Sequence, residues 1–175
     1  MHLIPRKPVP GLEFDTVDGG RWSLAAQKPQ NFSMVVFYRG LHCPQCRRYA
    51  SELNGMIGEF DKRGVSTVIT SSDSKERAAE AKEKWGLPNL TVGYGVSIDK
   101  AREWGLYVST SRGVTSAGIE EPPLFSEPGL FLVKPDGTLY WSNVSTMPFA
   151  RPHFPEISAA IDFVLSKNYP ARGEA

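Results

Sequence analysis

The amino-acid sequence predicts an α/β fold: a central mixed β-sheet flanked by helices, with an N-terminal β-hairpin extension. Three observations carry this. Ser33 to Tyr38 and Val65 to Thr70 are short, apolar, β-rich runs of the kind that buried strands use. The segment between them has helical periodicity, so the two strands are joined by a crossover and run parallel. The rest of the chain alternates hairpins with helices and repeats no unit.

Each element has its own local cause. Leu12 to Leu24 folds into a hairpin at Asp18-Gly19-Gly20. After the first buried strand, Tyr49, Leu53, Met56, Ile57 and Phe60 fall at helical spacing, which predicts a helix from about Pro44 to Arg63 that Gly64 ends. Asp73-Ser74-Lys75-Glu76 opens a second helix with a cap-like acceptor and a first-turn glutamate, and it closes near Gly86. Leu90 to Tyr94 is a short strand, and Ser97 caps a short helix through Trp104 that stops at Gly105. Residues 108–127 show no periodicity and are expected as a long loop, a feature that is often functional. Leu130 to Val133 and Thr138 to Trp141 form a hairpin around Pro135-Asp136-Gly137. Ile157, Ala160, Ile161, Val164 and Leu165 mark a last amphipathic helix, with Pro155 at its start and Asn168 and Pro170 beyond its end.

A chain of 175 residues suits one domain spanning 1–175, because division would leave two poor cores. A net charge of +1 gives no electrostatic case for binding nucleic acid or an anionic membrane. No apolar run approaches the roughly 18 residues of a membrane span. The segment Met1 to Pro8 is broken by proline and lacks the apolar stretch of a secretory signal, so the expected location is a reducing cytoplasm.

Cysteine is scarce and concentrated: two in the whole chain, Cys43 and Cys46. That is too few for a disulfide-stapled scaffold and excludes a four-cysteine zinc site. In a reducing compartment such a pair points to redox or metal chemistry. Pro44 suits the first helical position, which makes Cys43 the N-cap. A sulfur there faces unpaired N–H groups and the positive end of the helix dipole, and both favour thiolate. Cys46 follows one turn later on the same face, with Cα atoms roughly 5–6 Å apart, a separation that a disulfide accepts. Two other readings stay open at this point: a zinc site completed by His42 and His153, and a pair of inert buried thiols. Haem attachment fails, because Arg47 stands where that motif needs histidine.

The run Phe37-Tyr38-Arg39-Gly40-Leu41-His42-Cys43-Pro44-Gln45-Cys46 resembles the Phe-Tyr-Arg-Gly-x-x-Cys-Pro-x-Cys segment of bacterial peroxiredoxin-like proteins. Ser71-Ser72-Asp73-Ser74, Leu87-Pro88 and Phe131 to Gly137 fit weaker signatures of the same group. Nearly the whole chain thus resembles the thioredoxin suprafamily, and within it the alkyl hydroperoxide reductase/thiol-specific antioxidant (AhpC/TSA) family. The resemblance implies a thioredoxin-like fold with an N-terminal extension. It also implies an oxidoreductase without organic cofactor or metal, served by a thioredoxin- or glutathione-type thiol donor.

Two departures from that pattern matter. The family carries Pro-x-x-x-Thr/Ser-x-x-Cys after a Phe-Tyr strand end; anchored on Phe37-Tyr38, this places Arg39 at the proline, Cys43 at the hydroxyl residue and Cys46 at the peroxidatic cysteine. Where the family has a peroxide-orienting arginine before its later Phe-containing strand, this chain has Pro128. Thioredoxins place a cis-proline there, so the Glu127–Pro128 bond is expected to be cis.

The substitutions shift the expectation towards thiol–disulfide exchange on a protein disulfide, with Cys43 attacking and Cys46 resolving. The alternatives are a two-cysteine peroxidase in which Cys46 attacks, and a redox-sensing or zinc-binding module without turnover.

If Pro128 lies beside Cys43, topology returns Ser145 to Phe154 to the sulfurs. That segment is expected either to wall the substrate groove, with Thr146 in it and Arg151 supporting a thiolate, or to pack as a rigid connector. Arg39, before the cysteine turn, is the better flanking cation; Arg47 and Arg48 lie in the first helical turns, where positive charge is unfavourable. His42 is placed to adjust Cys43 or to stay uninvolved.

Overall fold

The computed structural model describes residues 2–175. An N-terminal hairpin, β1 (Glu13–Thr16) and β2 (Arg21–Ser23), precedes the first buried strand, β3 (Phe32–Phe37). Helix α1 (Pro44–Lys62) leads to β4 (Val65–Thr70), and α2 (Lys75–Trp85) leads to β5 (Thr91–Tyr94). The short helix α3 (Ile98–Glu103) is followed by β6 (Val108–Thr110) and β7 (Leu124–Ser126). The hairpin β8 (Gly129–Val133) and β9 (Leu139–Val144) and a last helix, α4 (Phe154–Lys167), complete the order.

Seven strands form one mixed sheet in the order β2-β1-β5-β4-β3-β8-β9. β3 pairs parallel with β4 and antiparallel with β8. All of β3 is buried, and its side chains alternate between two cores. Met34 and Val36 join Ala50, Leu53 and Phe60 of α1 and Ile157 and Ile161 of α4 on one face. Val35 and Phe37 join Trp104, Phe131 and Trp22 on the other. Burying a side chain such as Leu53 or Phe60 contributes about 1.5–3 kcal/mol each, which is why the stripe on α1 fixes its orientation over the sheet.

The helix ends follow their residue chemistry. Ser74 accepts the Arg77 N–H at the start of α2, and Gly86 closes it in the left-handed conformation at φ 65°. Ser97 caps α3, and Asn168 ends α4 at φ 46°.

Two expectations are corrected. Residues 108–127 are a ribbon rather than a loop: β6 pairs antiparallel with β7, and Val114 bridges Glu120. Strands of three residues are too short to display a period. The Glu127–Pro128 bond is trans, with no cis peptide among the described residues. The groups on both sides of it are held extended: Glu127 N–H donates to Tyr107 O at 2.8 Å, and Pro128 O accepts from Ser145 N–H at 3.0 Å.

Register assembles the site. Phe37, the last residue of β3, pairs with Gly129, the first of β8, and Gly129 pairs with Val144, the last of β9. The turn into α1, the entry to β8 and the exit from β9 therefore meet at one edge of the sheet.

Candidate active site

Cys43 is the N-cap of α1, and Pro44 provides its first helical residue. The Cys43 sulfur accepts the Cys46 backbone N–H at 3.1 Å. Both cysteines are free thiols and both are buried, yet they differ in access: Cys43 borders a groove of about 480 Å³, whereas Cys46 lies behind it and does not line it.

The turn before Cys43 is built on a buried carboxylate. Asp73 accepts the Leu41 N–H at 2.7 Å and the Arg77 Nε–H at 3.0 Å. Gly40 lies against it at φ 140°, where a Cβ would come within 2.9 Å of the carboxylate, so only glycine fits. Burial raises the Asp73 pKa, against the Leu41 N–H and the Arg77 charge. Ser74 is the cap-like acceptor of α2, and Asp73 turns inward to hold the cysteine loop.

Arg151 is the cation at the sulfurs. Its guanidinium is 3.1 Å from the Cys46 sulfur and 3.8 Å from that of Cys43. Its Nε–H donates to Pro148 O at 2.9 Å, and its carbon lies 5.0 Å from the centre of the Tyr49 ring. No carboxylate among the described residues pairs with it. Tyr49, on α1, also donates its hydroxyl to Pro152 O at 2.7 Å and stacks on Phe154. The segment after β9 is thereby tied to the helix that carries the cysteines.

These contacts split the two thiols. The Cys43 pKa is lowered to about 6, chiefly by hydrogen bonding from the Cys46 thiol, with further help from Arg151 and the Cys46 N–H against burial. Burial first, and then the neighbouring Cys43 sulfur, push the Cys46 thiol well up. The pair therefore holds one proton tightly and the other loosely.

The remaining sequence candidates fall into place around them. Arg39 lies 3.1 Å from Glu127 and 3.6 Å from Glu121, with its guanidinium over Phe125 at 4.7 Å. Its charge is committed to two buried carboxylates and is the last of the influences on Cys43. The His42 ring is buried against Phe125, both of its nitrogens lack partners among the described residues, and burial with the Arg39 charge lowers its pKa to about 4. Pro128 lines a small crevice with Arg151 and Tyr49. Arg47 and Arg48 are exposed on α1, and Thr146 is exposed after β9 with no hydrogen bond to either sulfur. His153 is the N-cap of α4. Among the described residues no group of three or more His, Cys, Asp and Glu is gathered to hold a metal ion.

Sequence reasoning missed Glu121, Glu127, Tyr49 and Thr115. Thr115 donates its hydroxyl to His42 O at 2.7 Å and so fastens the ribbon to the cysteine turn. Only Tyr49 left a signal, as an aromatic residue one turn beyond Cys46 on the same face.

No helix among the described residues is long and apolar enough to cross a membrane. None of the curated proteins matches the chain. Solved structures share its fold at low identity. The peroxidoxin BcpB of Mycobacterium tuberculosis is 18% identical, with 93% of this chain and 99% of that one covered at a TM-score of 0.72. AhpC of Enterococcus faecalis is 16% identical, with 98% and 99% covered at 0.72. A mutant peroxiredoxin 6 of Arenicola marina is 20% identical, with 95% and 75% covered at 0.74. The profile of the AhpC/TSA family matches residues 5–142, well over half of the chain. Fold, cysteine turn and profile agree: the chain belongs to the AhpC/TSA family of thioredoxin-fold oxidoreductases.

Proposed function

We propose that the protein is a thiol–disulfide oxidoreductase that cycles Cys43 and Cys46 between dithiol and disulfide. The observation that carries this is the asymmetry of the pair: the groove-lining Cys43 sulfur accepts the Cys46 N–H at the helix N-cap, and Cys46 is sealed behind it.

The Cys43 thiolate attacks one sulfur of a substrate disulfide, forming a mixed disulfide and releasing the other sulfur as a thiolate that takes up a proton. Cys46 loses its proton and attacks the Cys43 sulfur. That forms the Cys43–Cys46 bond, breaks the bond to substrate and releases the second substrate thiol. Two electrons have passed from protein to substrate. Arg151 touches both sulfurs and so stabilises whichever is anionic, which matters most for Cys46 because burial opposes its ionisation. A thioredoxin- or glutathione-type thiol would return two electrons to the disulfide. A reducing cytoplasm suits that cycle.

One observation favours a second reading. The Arg151 guanidinium is nearest Cys46, the position of the peroxidatic cysteine by family pattern. As a peroxidase, the Cys46 thiolate would attack a peroxide oxygen, releasing water or an alcohol and becoming a sulfenic acid. Cys43 would then condense with it, releasing water and leaving the same disulfide.

Single variants separate the readings. Under disulfide exchange, Cys46→Ser accumulates a mixed disulfide on Cys43 and wild type turns over a protein disulfide faster than hydrogen peroxide. A sulfenic acid trapped on Cys46 in Cys43→Ser, with fast peroxide turnover by wild type, would overturn disulfide exchange in favour of the peroxidase.

A further inference from the structure

The ribbon of residues 108–127 presents a strand edge to the groove beside Cys43. Val114 and Glu120 face each other across it, and the hydrogen bonds that hold the bridge belong to their neighbours: Thr115 N–H donates to Ile119 O at 3.0 Å, and Glu121 N–H to Gly113 O at 3.0 Å. In an antiparallel pair this alternation turns the backbone N–H and C=O of the intervening residue outward. Val114 is that residue. Neither its N–H nor its C=O has a partner among the described residues.

The outward side is the groove side. The consecutive residues 112–116 line the groove together with Cys43; from the far side of the ribbon Glu121 reaches it, and residues 118–120 do not. Val114, 69% exposed, and Phe149, 73% exposed, stand on its walls. The Thr115 hydroxyl on His42 O sets the distance from this edge to the cysteine turn.

Resting on the disulfide-exchange reading, we infer that this edge is a docking strand and that the substrate disulfide is carried by an extended polypeptide. The substrate backbone pairs with the N–H and C=O of Val114, its apolar side chains lie between Val114 and Phe149, and its sulfur meets Cys43. Backbone pairing supplies affinity without demanding a particular sequence, and the two exposed apolar side chains add a preference for apolar neighbours of the cysteine. A small disulfide or a peroxide, having no backbone, would leave the edge unused.

The test uses the reduced protein and a short peptide with valine on each side of a single cysteine, blocked as a mixed disulfide with 5-thio-2-nitrobenzoate. The same chromophore on 2-mercaptoethanol is the backbone-free control. Release of thionitrobenzoate gives the second-order rate constant. The expected result is a peptide reacting at least about tenfold faster than the control, with methylation of one backbone N–H beside the cysteine removing roughly fivefold. Equal rates for peptide and control, or rates indifferent to methylation at every position, would overturn the docking strand alone. If neither compound reacts faster with wild type than with Cys43→Ser, the disulfide-exchange reading falls, and the docking strand with it.

Discussion

The Arg151 guanidinium lies 3.1 Å from the sulfur of Cys46, a residue 105 positions earlier in the chain. The contact exists because the exit of β9 and the start of α1 meet at one edge of the sheet, and because Tyr49 fastens the intervening segment. With no carboxylate among the described residues competing for it, the sulfurs are the anionic partners open to the guanidinium.

Arg151→Met should therefore raise the Cys43 pKa from its value of about 6. Thiolate is the form that alkylates, so the wild-type rate with iodoacetamide rises with pH through a midpoint near 6 and then levels. The variant's midpoint should move up by about one unit, since a charge this close contributes about 1.4 kcal/mol or more. An unchanged profile would take Arg151 out of thiol activation.

Tyr49→Phe keeps the ring beneath Arg151 but removes the hydroxyl donated to Pro152 O. About 1 kcal/mol of stability should be lost in urea unfolding. Tyr49→Leu removes the ring as well and should shift the alkylation midpoint in the same direction as Arg151→Met. A midpoint at the wild-type value in Tyr49→Leu would mean that Arg151 is placed without Tyr49.

Arg39→Met should separate stability from reactivity. It leaves Glu121 and Glu127 buried without their cation, a loss of about 3–5 kcal/mol. Because Arg39 is the least of the influences on Cys43, the alkylation midpoint of the folded variant should stay near 6. Combining it with Glu121→Gln and Glu127→Gln should recover part of the stability. A variant as stable as wild type would show that the two carboxylates do not need the guanidinium.

His42 gives a dependence on acid. Its folded pKa of about 4 is below the ordinary 6.5, so the unfolded chain binds the proton more readily. The stability it confers is complete above pH 6.5 and declines as pH falls towards 4, by roughly 3 kcal/mol in total. His42→Leu removes two buried nitrogens without partners as well as the titration. Urea midpoints at pH 7 and 4.5 should therefore differ less for the variant than for wild type. An equal difference would assign the acid sensitivity elsewhere.

The buried β3-α1-β4 unit was legible because two apolar, β-rich runs, a 3.6 period between them and a proline at the first helical position all agree between residues 33 and 70. The nearness of Arg151 was legible by topology alone, since a hairpin that leaves an edge of a sheet must return to it. The partners of Arg39 were not. Glu121 and Glu127 are acidic residues in a stretch without periodicity, indistinguishable in sequence from solvated loop residues until the ribbon brings them to Arg39. The isomer at Pro128 was not legible either, because the carbonyls of Tyr107 and Pro128, on pairing with their neighbours, keep the backbone extended there.

The lowered Cys43 pKa makes the molecule's charge depend on its redox state. With both thiols protonated or bridged the formal net charge is +1, and ionising Cys43 cancels it. In the proposed cycle, oxidation would remove that anion and leave the Arg151 cation beside the sulfurs without a counter-ion. Under that reading the oxidised protein would attract an electron donor with negative charge around its thiol, and the reduced protein would release it more readily. The field beside Cys43 would then change at each half-cycle, favouring arrival of the donor before reduction and its departure after.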